Sequence, residues 1–334
     1  MAPGTDDGGR VALDAMRWGI IGAGDVTEVK SGPALQRVAG SELVAVMRRN
    51  PEKARDYAHR HGVERWHADA EAILTAADID AVYIATHPNT HADYTKRAAA
   101  AGKAVLVEKP MAVDADECRS MTAACEAAGV PLWVAYYRRA LPRFERVREL
   151  IRDGAIGDVR AINSIRTQKP RPSSWQNTVG LSGGGWFFDA ACHTLDWLDH
   201  VFGPLRGVQG RAVGHGRQLE DTVTIGYTFD SGVIGSGTWC FDAGTDCDRT
   251  TIIGSEGTVS LSISAPEAIE LVRGDNVEQL AIPDPPHVHE PLIRTIVAEW
   301  NGSGRCSSTG PSAIRTAAVM DQLLADLLVT DGQA

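Results

Sequence analysis

Trp18-Gly-Ile-Ile-Gly-Ala-Gly-Asp25 is the stretch on which the fold turns. Trp18-Gly-Ile-Ile21 is apolar enough for a buried strand, Gly22 permits a tight turn, Gly24 lets the backbone approach a ligand, and a helical pattern follows. In that strand–turn–helix context the free N–H groups opening the helix form a seat for a phosphate. Gly22, Gly24, Asp25, Val26 and Thr27 are therefore expected to line a dinucleotide site. The third position of such a turn usually carries Gly or Ala; here Thr27 stands there, either loosening the helix packing or offering a hydroxyl to phosphate.

The same grammar continues outward. Apolar strands at Arg17–Gly22, Glu42–Met47, Ala81–Thr86, Ala104–Val107 and Leu132–Ala135 alternate with helical stretches at Pro51–Gly62, Asp69–Ala76, His91–Gly102 and Asp114–Gly129. Such alternation predicts an α/β Rossmann domain over residues 16–136, with a doubly wound parallel sheet. After Tyr137 the pattern changes. A helix at Phe144–Arg152 and a strand near Arg160–Arg166 precede alternating Val223, Ile225, Tyr227 and Phe229, with hairpin turns at Asp230-Ser-Gly232 and Gly254-Ser-Glu-Gly257. Residues 137–330 are thus expected to form an α+β domain on a large open, mostly antiparallel sheet, for substrate binding and oligomerisation. A last helix over Ser312–Leu328 is expected to pack back on the first domain.

A length of 334 residues suits two domains, at roughly 150 residues each. Residues 1–15 are Gly/Asp-rich and read as a disordered leader without a secretory signal. No run approaches the ~18 apolar residues of a membrane span. The net charge of -10 repels polyphosphate backbones and anionic lipids, which argues against nucleic-acid or membrane partners. Six cysteines without a Cys-x-x-Cys pair suit reduced thiols in a cytoplasm, and Cys118 and Cys125, on one helix face, read as core.

An NAD-preferring site places an acidic residue at the end of the second strand, roughly 20 residues after the glycines. Here Arg48 and Arg49 stand there, suited to clasping a 2′-phosphate, so NADP is the expected cofactor, with NAD as the alternative. Solvated arginines at a strand end are the bland reading. Thr86, His87, Pro88, Asn89 and His91 follow the next strand at the carboxyl edge, where open α/β sheets bind ligands, although a helix-capping turn accounts for much of that sequence. Glu108-Lys109-Pro110 follows another strand, and a lysine there can polarise a carbonyl or contact a ribose.

Asp189 and His193 lie four apart on a predicted helix and share a face, so the carboxylate can orient an imidazole able to move a proton near neutral pH. The preceding Gly183-Gly-Gly185 reads as close backbone approach to a ligand. Asp196 supports substrate hydroxyls or faces solvent. Trp175, Tyr136, Tyr137, Arg138 and Arg139 are substrate-contact candidates, set against a core role for the aromatics. Arg166, Lys169 and Arg171 grip a phosphate on an activated sugar or merely solvate a loop. His287-Val-His289-Glu290 has metal-like composition but no distant third ligand, so no metal is expected.

Gly22-x-Gly24, Glu108-Lys109-Pro110 and Gly183-Gly-Gly185-x-x-x-Asp189-x-x-x-His193, in that order, resemble the Gfo/Idh/MocA oxidoreductases, the group of glucose–fructose oxidoreductase and inositol dehydrogenase. The resemblance covers about residues 16–330. It implies NAD(P) bound at the junction of the two domains, with Lys109, Asp189 and His193 as a catalytic triad and His193 as acid/base. It also favours Arg139, three before Pro142, as the substrate arginine. A homodimer or homotetramer through the open face of the second sheet is implied, and Trp239 and Phe241 are candidates for that contact. The reading is hydride transfer between nicotinamide and a secondary alcohol or ketone of a sugar, cyclitol or sugar derivative. A redox-assisted NAD-dependent glycosidase and a non-catalytic NAD(P)-binding regulator are the rivals.

Overall fold

A computed structural model describes residues 15–330, so nearly all of the expected leader lies outside the described residues. Its first sheet is built by β1 (Met16–Ile21), β2 (Ser41–Met47), β3 (Arg65–His67), β4 (Ala81–Ile84), β5 (Ala104–Val107) and β6 (Leu132–Val134). Their order is β3-β2-β1-β4-β5-β6, and every pair is parallel. The chain works outward from β1 to β3, then returns to β4 on the other side of β1. This reversal opens a crevice beyond the carboxyl ends of β1 and β4, where such sheets hold ligands. β4 and β5 are buried along their whole length, as expected for strands covered on both faces.

The crossovers are α1 (Gly32–Arg37), α2 (Pro51–His61), α3 (Glu71–Leu74), α4 (His91–Ala100) and α5 (Ala115–Ala128). Their ends follow local chemistry. Asn50 and Asp114 accept from the main chain three residues on as N-caps, and Gly62 and Gly129 take left-handed conformations at the C-termini. Cys118 and Cys125 are buried on α5, where burial pushes their thiols up to about 12 and about 11.

The second sheet follows α6 (Pro142–Arg152), with α7 (Trp186–Phe202) inserted after its first strand. Its strands are β7 (Val159–Thr167), β8 (Arg206–His215), β9 (Thr222–Thr228), β10 (Ile234–Cys240), β11 (Cys247–Gly254), β12 (Thr258–Leu261), β13 (Ile269–Arg273) and β14 (Asn276–Leu280). After α8 (Glu290–Trp300) and α9 (Gly310–Leu324) the chain adds β15 (Leu328–Thr330). The order is β14-β13-β12-β11-β7-β10-β9-β8-β15; β7 with β10 and β8 with β15 are parallel, the rest antiparallel. The last helix therefore stops at Leu324, short of the expected Leu328. It packs on α5 and β6, and Ala115 N–H donates to Asp321 at 2.7 Å.

Trp239 and Phe241 correct an expectation. Both are buried under α7, Trp239 edge-on to Phe187 and Phe241 stacked on Trp186, so neither is free for self-association. The opposite face of that sheet carries exposed Ile165, Ile234 and Ile253, the last two paired through Ala161 across three adjacent strands.

Candidate active site

A cleft of about 820 Å³ runs along the carboxyl edge of the first sheet, from the glycine turn to α7. Gly22 has φ 95° and an added Cβ would lie 2.6 Å from Thr86 Cγ2, so the β1 turn can close against the β4 turn only without a side chain. Gly22, Gly24, Asp25 and Val26 line one wall; Thr86, His87, Pro88 and Asn89 line the other. Arg48, Arg49, Lys53 and Lys30 also border the cleft, and none of the four has an ion-pair partner among the described residues. A glycine-lined turn beside unpaired cations fits a dinucleotide carrying extra negative charge.

At the far end, Trp175 lies with its ring centroid 5.0 Å from His87, and Gln176, Lys109 and Asp189 close the cleft. The loop from Trp175 to Leu181 is fastened to the β4 turn where Asn89 donates its main-chain N–H to Leu181 O and its side chain to Gly180 O. Lys109 Nζ donates to Asp189 Oδ1 at 2.7 Å, and Gln176 Nε2 donates to Asp189 Oδ2 at 3.0 Å. Burial alone lowers the Lys109 proton affinity, but the Asp189 carboxylate outweighs it and holds the ammonium above its ordinary range. One turn further along α7, His193 is buried and its Nδ1 has no partner among the described residues. Desolvation first, then Arg138, Lys109, Lys30 and Arg166, keeps its proton affinity well below the ordinary value. The end of the cleft thus holds a fixed cation, Lys109, while His193 lies outside the cleft lining, one turn beyond Asp189, with its imidazole held toward the neutral form.

Residues 16–136 match the oxidoreductase family model with the NAD-binding Rossmann fold, and residues 144–260 match the GFO/IDH/MocA C-terminal domain. The chain belongs to the GFO/IDH/MocA oxidoreductase family. Oxidoreductase P35 of Formosa agariphila is 36% identical over 92% of this chain and 97% of its own. The 1,5-anhydro-D-fructose reductase of Ensifer adhaerens is 29% identical over 89% and 92%. Among solved structures, the aldose-aldose oxidoreductase of Caulobacter crescentus superposes with a TM-score of 0.84 at 24% identity, covering 93% of this chain and 97% of that one. A 3-ketoreductase from Actinomadura kijaniata, solved with NADP and TDP-benzene, gives 0.83 at 22%, covering 95% and 99%. As a GFO/IDH/MocA protein, the chain is an NAD(P)-binding oxidoreductase acting on CH–OH groups.

Several members of the expected site have other work in this GFO/IDH/MocA fold. Thr27 is fully buried; its hydroxyl donates to Gly24 O at 2.8 Å and accepts from Gly24 N–H at 2.9 Å, so it closes the glycine turn and offers nothing to phosphate. His91 is also fully buried, its ring nitrogens on the carbonyls of Thr86, Pro110 and Met111, and it braces the β4 and β5 turns without lining the cleft. Glu108 borders the cleft, but its carboxylate is taken up by Tyr83 at 2.5 Å and the Lys109 N–H at 3.0 Å, with His289 Nε2 3.3 Å away. Burial pushes Glu108 up; His289, Tyr83 and Lys109 prevail and hold it at about 2.

Arg139 is the clearest correction. It donates to both carboxylate oxygens of Asp196, at 2.8 and 2.6 Å, and to Ser307 O, a buried brace away from the cleft lining. Asp196 accordingly faces neither solvent nor substrate. Tyr137 also lies outside the cleft lining, with its ring 5.4 Å from His193 and 4.6 Å from His289. Asp189 does not hold His193, because both its oxygens are engaged by Lys109 and Gln176.

The triple glycine serves protein contacts. A Cβ at Gly183 would lie 1.8 Å from Val113 O, and at Gly184 and Gly185 it would come within 2.9 Å of Glu220. Glu220 in turn accepts from the N–H groups of Gly185 and Phe188, capping α7 from the connection between β8 and β9. His287, His289 and Glu290 diverge to Val29 O, Glu108 and Arg294, and no metal-holding cluster occurs among the described residues. Sequence reasoning missed Lys30, Lys53, Gln176 and Glu220. Lys53, four residues after Arg49 in the first turn of α2, carries a signal that spacing could have found.

Proposed function

We propose that this oxidoreductase prefers NADP and transfers hydride between it and a secondary alcohol or ketone of a sugar, cyclitol or sugar derivative. The single observation behind this reading is the Lys109–Asp189 pair, 2.7 Å apart in a cleft whose lining also collects unpaired cations. The bound nicotinamide supplies the hydride acceptor or donor. Lys109 directs its ammonium at the substrate oxygen, and Asp189 keeps that ammonium charged and fixed. His193, neutral before substrate arrives, takes the hydroxyl proton during oxidation and returns it during reduction. Arg48, Arg49 and Lys53 meet the 2′-phosphate. The likeness to the 1,5-anhydro-D-fructose reductase favours a carbohydrate substrate.

Self-association in this reading uses the exposed isoleucine face of the second sheet. No described helix is long and apolar enough to cross a membrane. The test is nicotinamide absorbance during turnover with NADP and a panel of sugars, sugar lactones and cyclitols, for the wild type and Lys109→Met. Net NADPH formation or consumption that the variant loses supports the reading. Turnover of a glycoside with no net change in NADPH would move the assignment to a redox-assisted glycosidase.

A further inference from the structure

Three arginines, Arg138, Arg139 and Arg143, follow β6 in a span of six residues, and all are buried. Arg139 is paired with Asp196, and Arg143 with Asp284. Arg138 is 6% exposed, yet no carboxylate lies within ion-pair distance of it among the described residues. Its Nε donates to Ile263 O at 2.7 Å, its guanidinium carbon lies 4.9 Å from the Tyr137 ring centroid, and its Nη1 is buried without a partner. A buried guanidinium without a counter-charge is costly unless something supplies one.

A second guanidinium approaches from the sheet. Arg166 of β7 donates one Nη1–H to Asp248 at 3.2 Å, while its Nε is buried and unpartnered. Asp248 also receives the N–H groups of Ile263 and Ser264, so both arginines are fastened to one short segment, Arg138 by its carbonyl and Arg166 through its amide acceptor. Gln168, two residues on, is buried with its Nε2 also unpartnered. The Tyr137 ring that Arg138 packs on at 4.9 Å lies in turn 5.4 Å from the His193 ring, which places this arginine beside the imidazole. Within this pair two guanidiniums stand against the one carboxylate of Asp248, a surplus of about one positive charge that a monoanionic group would balance.

We propose that Arg138 and Arg166 form an anion subsite beside His193, so that the substrate is a sugar or polyol carrying a monoanionic group, a carboxylate or a sulfate ester, near the reacting carbon. This rests on the hydride-transfer reading above and deepens it. Arg138 would place the anion with its free Nη1–H, and Arg166 with its free Nε–H, while Lys109 and His193 address the hydroxyl or ketone.

The test uses the NADPH-loaded wild type and the variants Arg138→Gln and Arg166→Gln. Binding of D-glucuronate, D-glucose 6-sulfate, D-glucose 6-phosphate and D-glucose is followed by the change in nicotinamide fluorescence, alongside each variant's affinity for NADPH. The expected result is binding of glucuronate or the 6-sulfate at least tenfold tighter than glucose, with the phosphate no better than these. Each variant should lose about tenfold to a hundredfold on the anionic ligand, with glucose and NADPH affinities unchanged. The two acidic probes separate carboxylate from sulfate ester. Equal binding of glucose and both monoanions, absence of binding by any acidic probe, or equal losses on charged and neutral sugars in the variants would overturn the subsite. Selective anion binding without hydride transfer to any substrate would instead leave the subsite standing and overturn the oxidoreductase reaction proposed above.

Discussion

Lys109 and Asp189, eighty residues apart, meet across the two sheets, the ammonium donating to the Asp189 carboxylate at 2.7 Å and to its main-chain carbonyl at 3.1 Å. β5 delivers the lysine and α7 the aspartate, so the pair ties the edge of the first sheet to the helix that packs on the second. Lys109→Met should lower kcat by ~10²–10⁴-fold while NADPH affinity changes less than tenfold. Asp189→Asn should lower kcat too, and should also bring the Lys109 proton affinity down, because burial then acts without its counter-charge. Stopped-flow turnover and cofactor titration on both variants separate the chemical defect from a binding defect.

His193 gives a pH signature. Its folded proton affinity is depressed by burial and by Arg138, Lys109, Lys30 and Arg166, whereas the unfolded chain takes up a proton near the ordinary histidine value of about 6.5. The unfolded state therefore binds more protons below that pH, and this contribution to stability is full above it and falls as the pH drops. His193→Gln should flatten the acid side of the stability profile measured by urea unfolding. Because the imidazole stays neutral, kcat/KM for alcohol oxidation should show no loss as the pH falls through 6.5.

Arg139 and Asp196 should prove structural. Removing one partner of this buried pair leaves the other charge uncompensated, so Asp196→Ala should cost about 3–5 kcal/mol of stability. Surviving folded protein should keep its NADPH affinity. A large change in KM with little change in stability would return Arg139 to the substrate site.

Glu220 positions α7. Glu220→Ala strands two buried main-chain donors at the helix start and should cost about 1–3 kcal/mol, with kcat falling as the Asp189 and His193 geometry loosens. Gly183→Ala should be worse, since its Cβ would collide with backbone at Val113. Thermal unfolding compared with Gly244→Ala, where a Cβ has open space and φ is not left-handed, isolates the steric share.

The first sheet was legible because its strands are buried apolar runs punctuated by glycine; β3 escaped, since Arg65-Trp-His67 is half-exposed and has no apolar pattern. α8 escaped because it begins at Glu290-Pro291, directly after a Pro-rich segment. In the site, spacing along one helix suggested that Asp189 would hold His193, but helical spacing fixes only a shared face. Which partner a carboxylate takes is decided by the element packed opposite, and here β5 brings Lys109. For the same reason Arg139 looked like a substrate ligand: nothing local shows that Asp196 lies in reach. Gly183-Gly-Gly185 did report close approach, although to Val113 and Glu220 and not to a ligand.

Titration of the purified protein with NADPH and NADH, repeated with Arg48→Asp, decides whether the cleft takes NADP through Arg48. Tight NADPH binding, weaker NADH binding, and a loss of about tenfold or more for NADPH alone in the variant are the expected results. Absence of binding by either cofactor would contradict the assignment of the cleft, and tighter NADH binding would contradict the role given to Arg48, Arg49 and Lys53.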